Sequence, residues 1–226
     1  MSALATCPHT VHSHTLTVIC RPSTHFYLKR HRWDRQLYVD GDGSPKQGWI
    51  RVTHNAIFNG PSDDRDLGNL YPAIDNDDGS QLYWNAFNVA VYGGMKNYLG
   101  LNKKWVGNMI LFPDRWSGDA CLTQWGGVDH VYSNNYCVTS SHFPMALDSS
   151  VEGDTCSMNY TDPVSAPFLP TLHDNVYSTP DGAFSTGCDV QLDLAQLQAL
   201  GQELGSSVVQ GYAVADILDR AKALLA

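Results

Sequence analysis

The residues best equipped for chemistry lie in Ile74-Asp75-Asn76-Asp77-Asp78-Gly79-Ser80, the densest group of carboxylates in the chain. In an extended backbone, side chains alternate between faces, so Asp75 and Asp77 fall on the same side when Ile74 and Asn76 face inward. Their Cα atoms are then about 6.5–7 Å apart, twice the strand rise. That spacing overlaps the roughly 6.5–9.5 Å between the acid and base of inverting glycoside hydrolases. Asp78, beside Gly79, suits a turn in which its carboxylate bonds backbone amides, and it also stands where a substrate would pass. Alternatively, Asp75, Asn76, Asp77 and Asp78 are oxygen ligands for calcium.

A second group follows in Tyr92-Gly93-Gly94-Met95-Lys96-Asn97-Tyr98. Two glycines place Lys96 in a tight turn with its ammonium outward. A lysine so placed can take the proton beside a carboxylate in a polyuronate lyase, with Arg35 or Arg51 alongside. Trp33, Trp84, Tyr92 and Tyr98 can stack on sugar faces, although packing is the commoner use of an aromatic ring. His54, just before an apolar run, is a candidate outward base or substrate contact. The candidates are therefore Asp75, Asp77 and Lys96 for catalysis, and Trp33, Arg35, His54, Asp78, Tyr92 and Tyr98 for substrate.

Bulk properties narrow the field. The chain has 226 residues, 43% hydrophobic, with a formal charge of -9. The negative balance argues against nucleic acid, which selects a basic face. No apolar run reaches the ~18 residues of a membrane span. The first 30 residues lack the unbroken apolar stretch of a signal peptide, being interrupted by Pro8, His9, His12 and His14. Six cysteines, none in a CxxC pair, disfavour a zinc ribbon and fit disulfides in a secreted domain or scattered thiols. Phosphate-loop, dinucleotide and nucleophile-elbow motifs are missing.

The elements that would position these residues are short strands. Trp49–Val52, Ala56–Phe58, Phe87–Tyr92, Met109–Phe112, Val128–Tyr132 and Tyr136–Val138 each end in turn residues. An asparagine precedes five apolar runs, at Asn55, Asn88, Asn108, Asn135 and Asn175, with spacings of 33, 20, 27 and 40. A fixed local pattern with variable spacing is what a solenoid with variable loops produces. An inward asparagine there can bond the backbone and its equivalent in the next coil. Asp193 and Gln196 form a capping box before a short helix that Gly201 stops. Val214–Leu225 carries Val214, Ile217, Leu218, Ala221, Leu224 and Leu225 on one face of a second helix. A solenoid end needs a cover, and one of these two helices is expected to lie against the last coil.

The runs Trp33-Asp34-Arg35-Gln36-Leu37-Tyr38, Ile74 to Ser80 and Val91 to Gly100, with the tail Leu194 to Gly201, resemble the right-handed parallel β-helix proteins of algae and protists. These are pectin-lyase-like in fold. The resemblance runs from Trp33 to the C-terminus and implies an all-β chain. The expected architecture is a right-handed parallel β-helix of about four or five coils (33–226) with a C-terminal helical segment. Residues 1–32 are expected as a poorly ordered leader, standing where the family carries further coils, so the chain reads as a C-terminal part of such a domain. The implied function is carbohydrate binding or processing in an extracellular or secretory compartment, with a polysaccharide or glycan as partner. Glycoside hydrolysis leads; a non-catalytic adhesive solenoid and a calcium-assisted polysaccharide lyase are the alternatives.

Overall fold

The structure, a computed structural model, describes residues 26–30, 35–39, 50–58, 73–76, 79–113, 120–148, 170–186 and 191–226. It consists mostly of parallel β-sheet with two helices among these residues. The first sheet holds β1 (Phe26–Arg30), β2 (Arg35–Val39), β5 (Ile74–Asn76), β8 (Met95–Tyr98), β11 (Leu122–Trp125) and β14 (Met145–Asp148). The second holds β3 (Ile50–Thr53), β6 (Tyr83–Ala86), β9 (Lys104–Val106), β12 (Val131–Ser133) and β15 (Thr171–His173). The third holds β4 (Ala56–Phe58), β7 (Val89–Val91), β10 (Met109–Leu111), β13 (Tyr136–Val138), β16 (Val176–Thr179) and β17 (Ser207–Gln210). From β2 to β16 the chain visits the three sheets in rotation, so each strand pairs in parallel with the strand three places on. None of the three sheets closes on itself.

The five asparagine-led runs are β4, β7, β10, β13 and β16, consecutive neighbours in the third sheet. Their amides form a ladder. Nδ2 of Asn55, Asn88, Asn108 and Asn135 each donates to Oδ1 of the next asparagine, at 2.9, 3.0, 3.0 and 3.1 Å. The same Oδ1 atoms accept the backbone N–H of the asparagine before them. The second Nδ2 hydrogen of Asn88, Asn108, Asn135 and Asn175 goes to the carbonyls of Val52, Asn85, Trp105 and Tyr132, four aligned positions of the second sheet. One side-chain type thus saturates the corner between the two sheets, as buried polar groups require.

The residue before each asparagine makes that corner. His54, Phe87, Gly107, Asn134 and Asp174 all have φ between 55° and 65°, a left-handed conformation that is uncommon outside glycine. The corner N–H groups of His54, Phe87, Gly107 and Asn134 donate to the carbonyls of Ala86, Val106, Ser133 and His173, the last residues of the neighbouring second-sheet strands, and Asp174 N–H donates to Leu204 O beyond the last of them. This stacking holds the strained backbone in place.

Between the sheets lies an apolar core that includes Ile57, Ile74, Met95, Ile110, Leu122, Tyr132, Met145, Leu172 and Tyr177. Cys121, just before β11, and Cys137, in β13, form a disulfide inside it, with Cα atoms 6.1 Å apart. Cys7, Cys20, Cys156 and Cys188, and the histidines up to His25, lie outside the described residues.

Several expectations change. The stretch expected as a leader contains β1, which pairs antiparallel with β2 and sets Phe26, Tyr27 and Leu28 opposite Val39, Tyr38 and Leu37. The first-sheet strands β8 and β11 fall outside the runs read as strands in the sequence. α1 (Leu194–Ala199) has both bonds of its capping box and buries Leu197 in the main core. It is therefore the helix against the last strands: Gln202 Oε1 accepts Leu172 N–H, and Glu203 N–H donates to Leu172 O. α2 (Val214–Leu225) lies elsewhere, across the outer face of the third sheet. There Ile217, Ala221 and Leu224 meet Val89, Met109, Leu111 and Val138. Val214, Leu218 and Leu225, expected on the same buried face, are exposed.

Candidate functional site

Ile74 and Asn76 are buried at the inner face of β5, as the reading of the acidic stretch required. The strand register sets Asp75 beside Lys96 of β8, with Tyr38 and Thr123 at the flanking positions. Asp77 and Asp78 lie outside the described residues, as does Trp33. Arg35 opens β2, two residues before the Leu37–Ile74 pair.

Lys96 is not in a turn. It lies within β8, with Met95 and Asn97 buried on the inner side and Lys96 and Tyr98 half-exposed on the outer side. Its Nζ is 6.0 Å from the Tyr98 ring centroid, at the outer limit of a cation–π contact. The two glycines before it are buried because they pass close under the preceding segment: Gly94 O accepts Ala73 N–H at 2.7 Å. The strand is thereby docked to β5 from its first residue, which overrides the turn tendency of the glycine pair.

The other candidates are dispersed. His54 is an exposed corner residue stacked on Phe87, ring centroids 5.2 Å apart. Tyr92 follows β7 at the third sheet, 6.5 Å from Phe112, which in turn meets Tyr212 before α2. Trp84 and Arg51 pack together on the second sheet, with the guanidinium carbon 4.9 Å from the ring centroid. The structure thus gathers Asp75, Lys96 and Tyr98 on one sheet and leaves His54 and Tyr92 apart from them.

Two residues missing from the candidate list support this site from within. Lys103 has no exposed surface, and its Nζ donates to Asn76 O at 2.8 Å and Tyr98 O at 3.2 Å. Tyr98 O also accepts Gly79 N–H at 3.3 Å. Lys103 thereby ties Asn76 of β5 to Tyr98 of β8. In the following strand layer, His130 accepts Lys103 N–H at Nδ1, 3.1 Å away. Strand alternation was the available clue, since Lys103 shares its side of the chain with the buried Trp105.

Burial, and then the charge of Lys103, lower the pKa of His130 from its ordinary 6.5 to about 3. The unfolded chain therefore binds a proton between those values that the folded chain refuses. The stabilisation is fully present above pH 6.5 and is lost as pH falls toward 3. Its upper bound is ~5 kcal/mol from the pKa difference. Unfolding free energy measured by urea titration from pH 7 to pH 4 is expected to fall steeply in wild type. In His130→Asn, whose Oδ1 can take the place of Nδ1, that slope is expected to flatten; equal slopes would remove His130 as the cause.

No three His, Cys, Asp or Glu side chains converge among the described residues. Asn76, one of the four oxygen ligands expected for calcium, is buried between the sheets. Among the described residues, no helix is long and apolar enough to cross a membrane. Comparison of the chain with protein-family models, with curated proteins and with solved structures finds no match.

Proposed function

We propose that this chain is a right-handed parallel β-helix that binds a glycan on the outer face of its first sheet, around Asp75, Lys96 and Tyr98. The resemblance to pectin-lyase-like domains agrees with the rotation of strands among three parallel sheets. One observation carries the site: the register that sets Asp75 beside Lys96, with Tyr98 on the same side of β8 as Lys96. A carboxylate, an ammonium and a ring edge within one short stretch match what sugar hydroxyls and faces require. In the catalytic form of this reading, Asp75 and Asp77 act as base and acid in glycoside hydrolysis. The buried Cys121–Cys137 disulfide supports an extracellular or secretory setting.

The reading is tested on a glycan array with wild type, Lys96→Ala and Tyr98→Ala. Each substitution is expected to weaken binding about tenfold, the loss of ~1.4 kcal/mol of contact. Asp75→Asn is expected to lower reducing-end release by about 10²–10⁴-fold while binding persists. Binding lost with Lys96→Ala but no hydrolysis in wild type selects the adhesive solenoid. An ultraviolet-absorbing product from a polyuronate, abolished by Lys96→Ala, selects the lyase. Glycan binding indifferent to both Lys96→Ala and Tyr98→Ala rejects the site.

A further inference from the structure

The interior beside the first two sheets is polar in a way the apolar core is not. Asn76 and Asn97 are register neighbours facing inward from β5 and β8. On the adjoining sheet, Asn85, Trp105 and Tyr132 face inward from β6, β9 and β12, again as register neighbours. Each of the five is at most 1% exposed. Lys103, two residues before Trp105 and bonded to Asn76 O, joins the two columns.

Among the described residues, no protein atom pairs with Nδ2 or Oδ1 of Asn76, Nδ2 or Oδ1 of Asn85, Oδ1 of Asn97, Nε1 of Trp105 or the hydroxyl of Tyr132. Leaving one such buried group unmade costs about 1–3 kcal/mol, so seven together would rival the ~5–15 kcal/mol stability of a whole domain. The set also mixes types. The asparagine oxygens only accept, while the asparagine nitrogens and the indole only donate. An anion could satisfy the donors alone, and a cation the acceptors alone, with the Lys103 ammonium nearby opposing a cation. Water both donates and accepts. Burial, with the neighbouring Glu203, pushes the Tyr132 pKa well up, so that hydroxyl keeps its proton to donate.

We propose that Asn76, Asn85, Asn97, Trp105 and Tyr132 form an internal water site in the protein. At about three hydrogen bonds per buried water, these seven atoms take about two or three molecules. The waters link neighbouring strand layers and hydrate the underside of the segment that carries Asp75.

Oxygen-17 magnetic relaxation dispersion on the intact folded chain counts long-lived internal waters directly. Wild type is expected to give a step worth about two or three waters. Asn85→Leu, which removes one donor and one acceptor, is expected to lower the step by about one water. Trp105→Phe, which removes only the indole donor, keeps the test available if Asn85→Leu does not fold, and is likewise expected to lower the step. No step in wild type, or a step unchanged in the folded variants, overturns the proposal. A thermal midpoint that climbs with chloride at constant ionic strength also overturns it, in favour of a bound anion.

Discussion

Asn108→Asp is expected to lose about 3–6 kcal/mol of stability, enough to unfold much of a domain of ordinary stability. The change is nearly isosteric, so the cost is one of hydrogen bonding. Asn108 uses its whole amide: Oδ1 accepts from Asn88 N and Asn88 Nδ2, and Nδ2 donates to Asn85 O and Asn135 Oδ1. A carboxylate has no donor for either acceptor and brings an uncompensated charge into a fully buried corner. Asn55→Asp sits at the ladder's first, half-buried position, where Nδ2 donates to Thr53 O and Asn88 Oδ1, and is expected to cost about 1–2 kcal/mol because water can reach it. Urea unfolding followed by circular dichroism compares the two. A loss under ~1 kcal/mol for Asn108→Asp would mean that the ladder follows from strand stacking and does not maintain it.

The second large effect is expected where the ladder ends. Ser206 stands one strand beyond Asn175, and its Oγ accepts Asn175 N–H at 2.8 Å, the bond that an asparagine oxygen makes elsewhere. Glu203 takes the amide hydrogen left over: Asn175 Nδ2 donates to Oε2 at 3.1 Å, Ser206 Oγ donates to the same oxygen, and Tyr177 OH donates to Oε1 at 2.6 Å. Glu203→Ala removes all three acceptor contacts and leaves a void, for an expected loss of about 2–4 kcal/mol. Glu203→Gln can turn its oxygen toward Asn175 and Ser206 and its amide toward the Tyr177 oxygen, which can accept. Burial raises the Glu203 pKa, while bonds from Ser206, Tyr177 and Asn175 oppose the shift. A raised folded pKa gives stability that is present below the ordinary carboxylate value and lost as pH rises through the folded one. Glu203→Gln, free of that loss, is therefore expected to match or exceed wild type in thermal midpoint at pH 7. If Gln were as damaging as Ala, the ionised carboxylate would be the form that holds the ladder's end.

His130 and Glu203 pull in opposite directions, one eroding stability toward acid and the other toward base. Stability is accordingly expected to be greatest between their two transitions.

The asparagine pattern was legible because its cause is local. Every strand layer turns the same corner, every corner exposes the same backbone groups to a dry interior, and an amide with both donors and acceptors must meet them each time. The capping box at Asp193 was legible for the same reason, since both of its bonds close within three residues. β8 was not legible. Its glycine pair reads locally as a turn, and only the Ala73–Gly94 bond and the pairing with β5 make it a strand. Lys103 was hidden because a lysine is usually a surface residue, and the carbonyls that hold it come from residues 27 and 5 positions away.

By itself, then, the sequence determined what repeats, the asparagine amide at each corner, and what closes locally, the capping box of α1. Those are set by interactions within a few residues, or by one rule applied again in every strand layer. Tertiary structure decided what meets what. It set Asp75 beside Lys96, bonded Lys103 to Asn76 and Tyr98, and laid α2 on the outside of the third sheet while α1 covered the core. Variable loops between strands leave no fixed sequence distance for such contacts, so register, and not spacing, selects them.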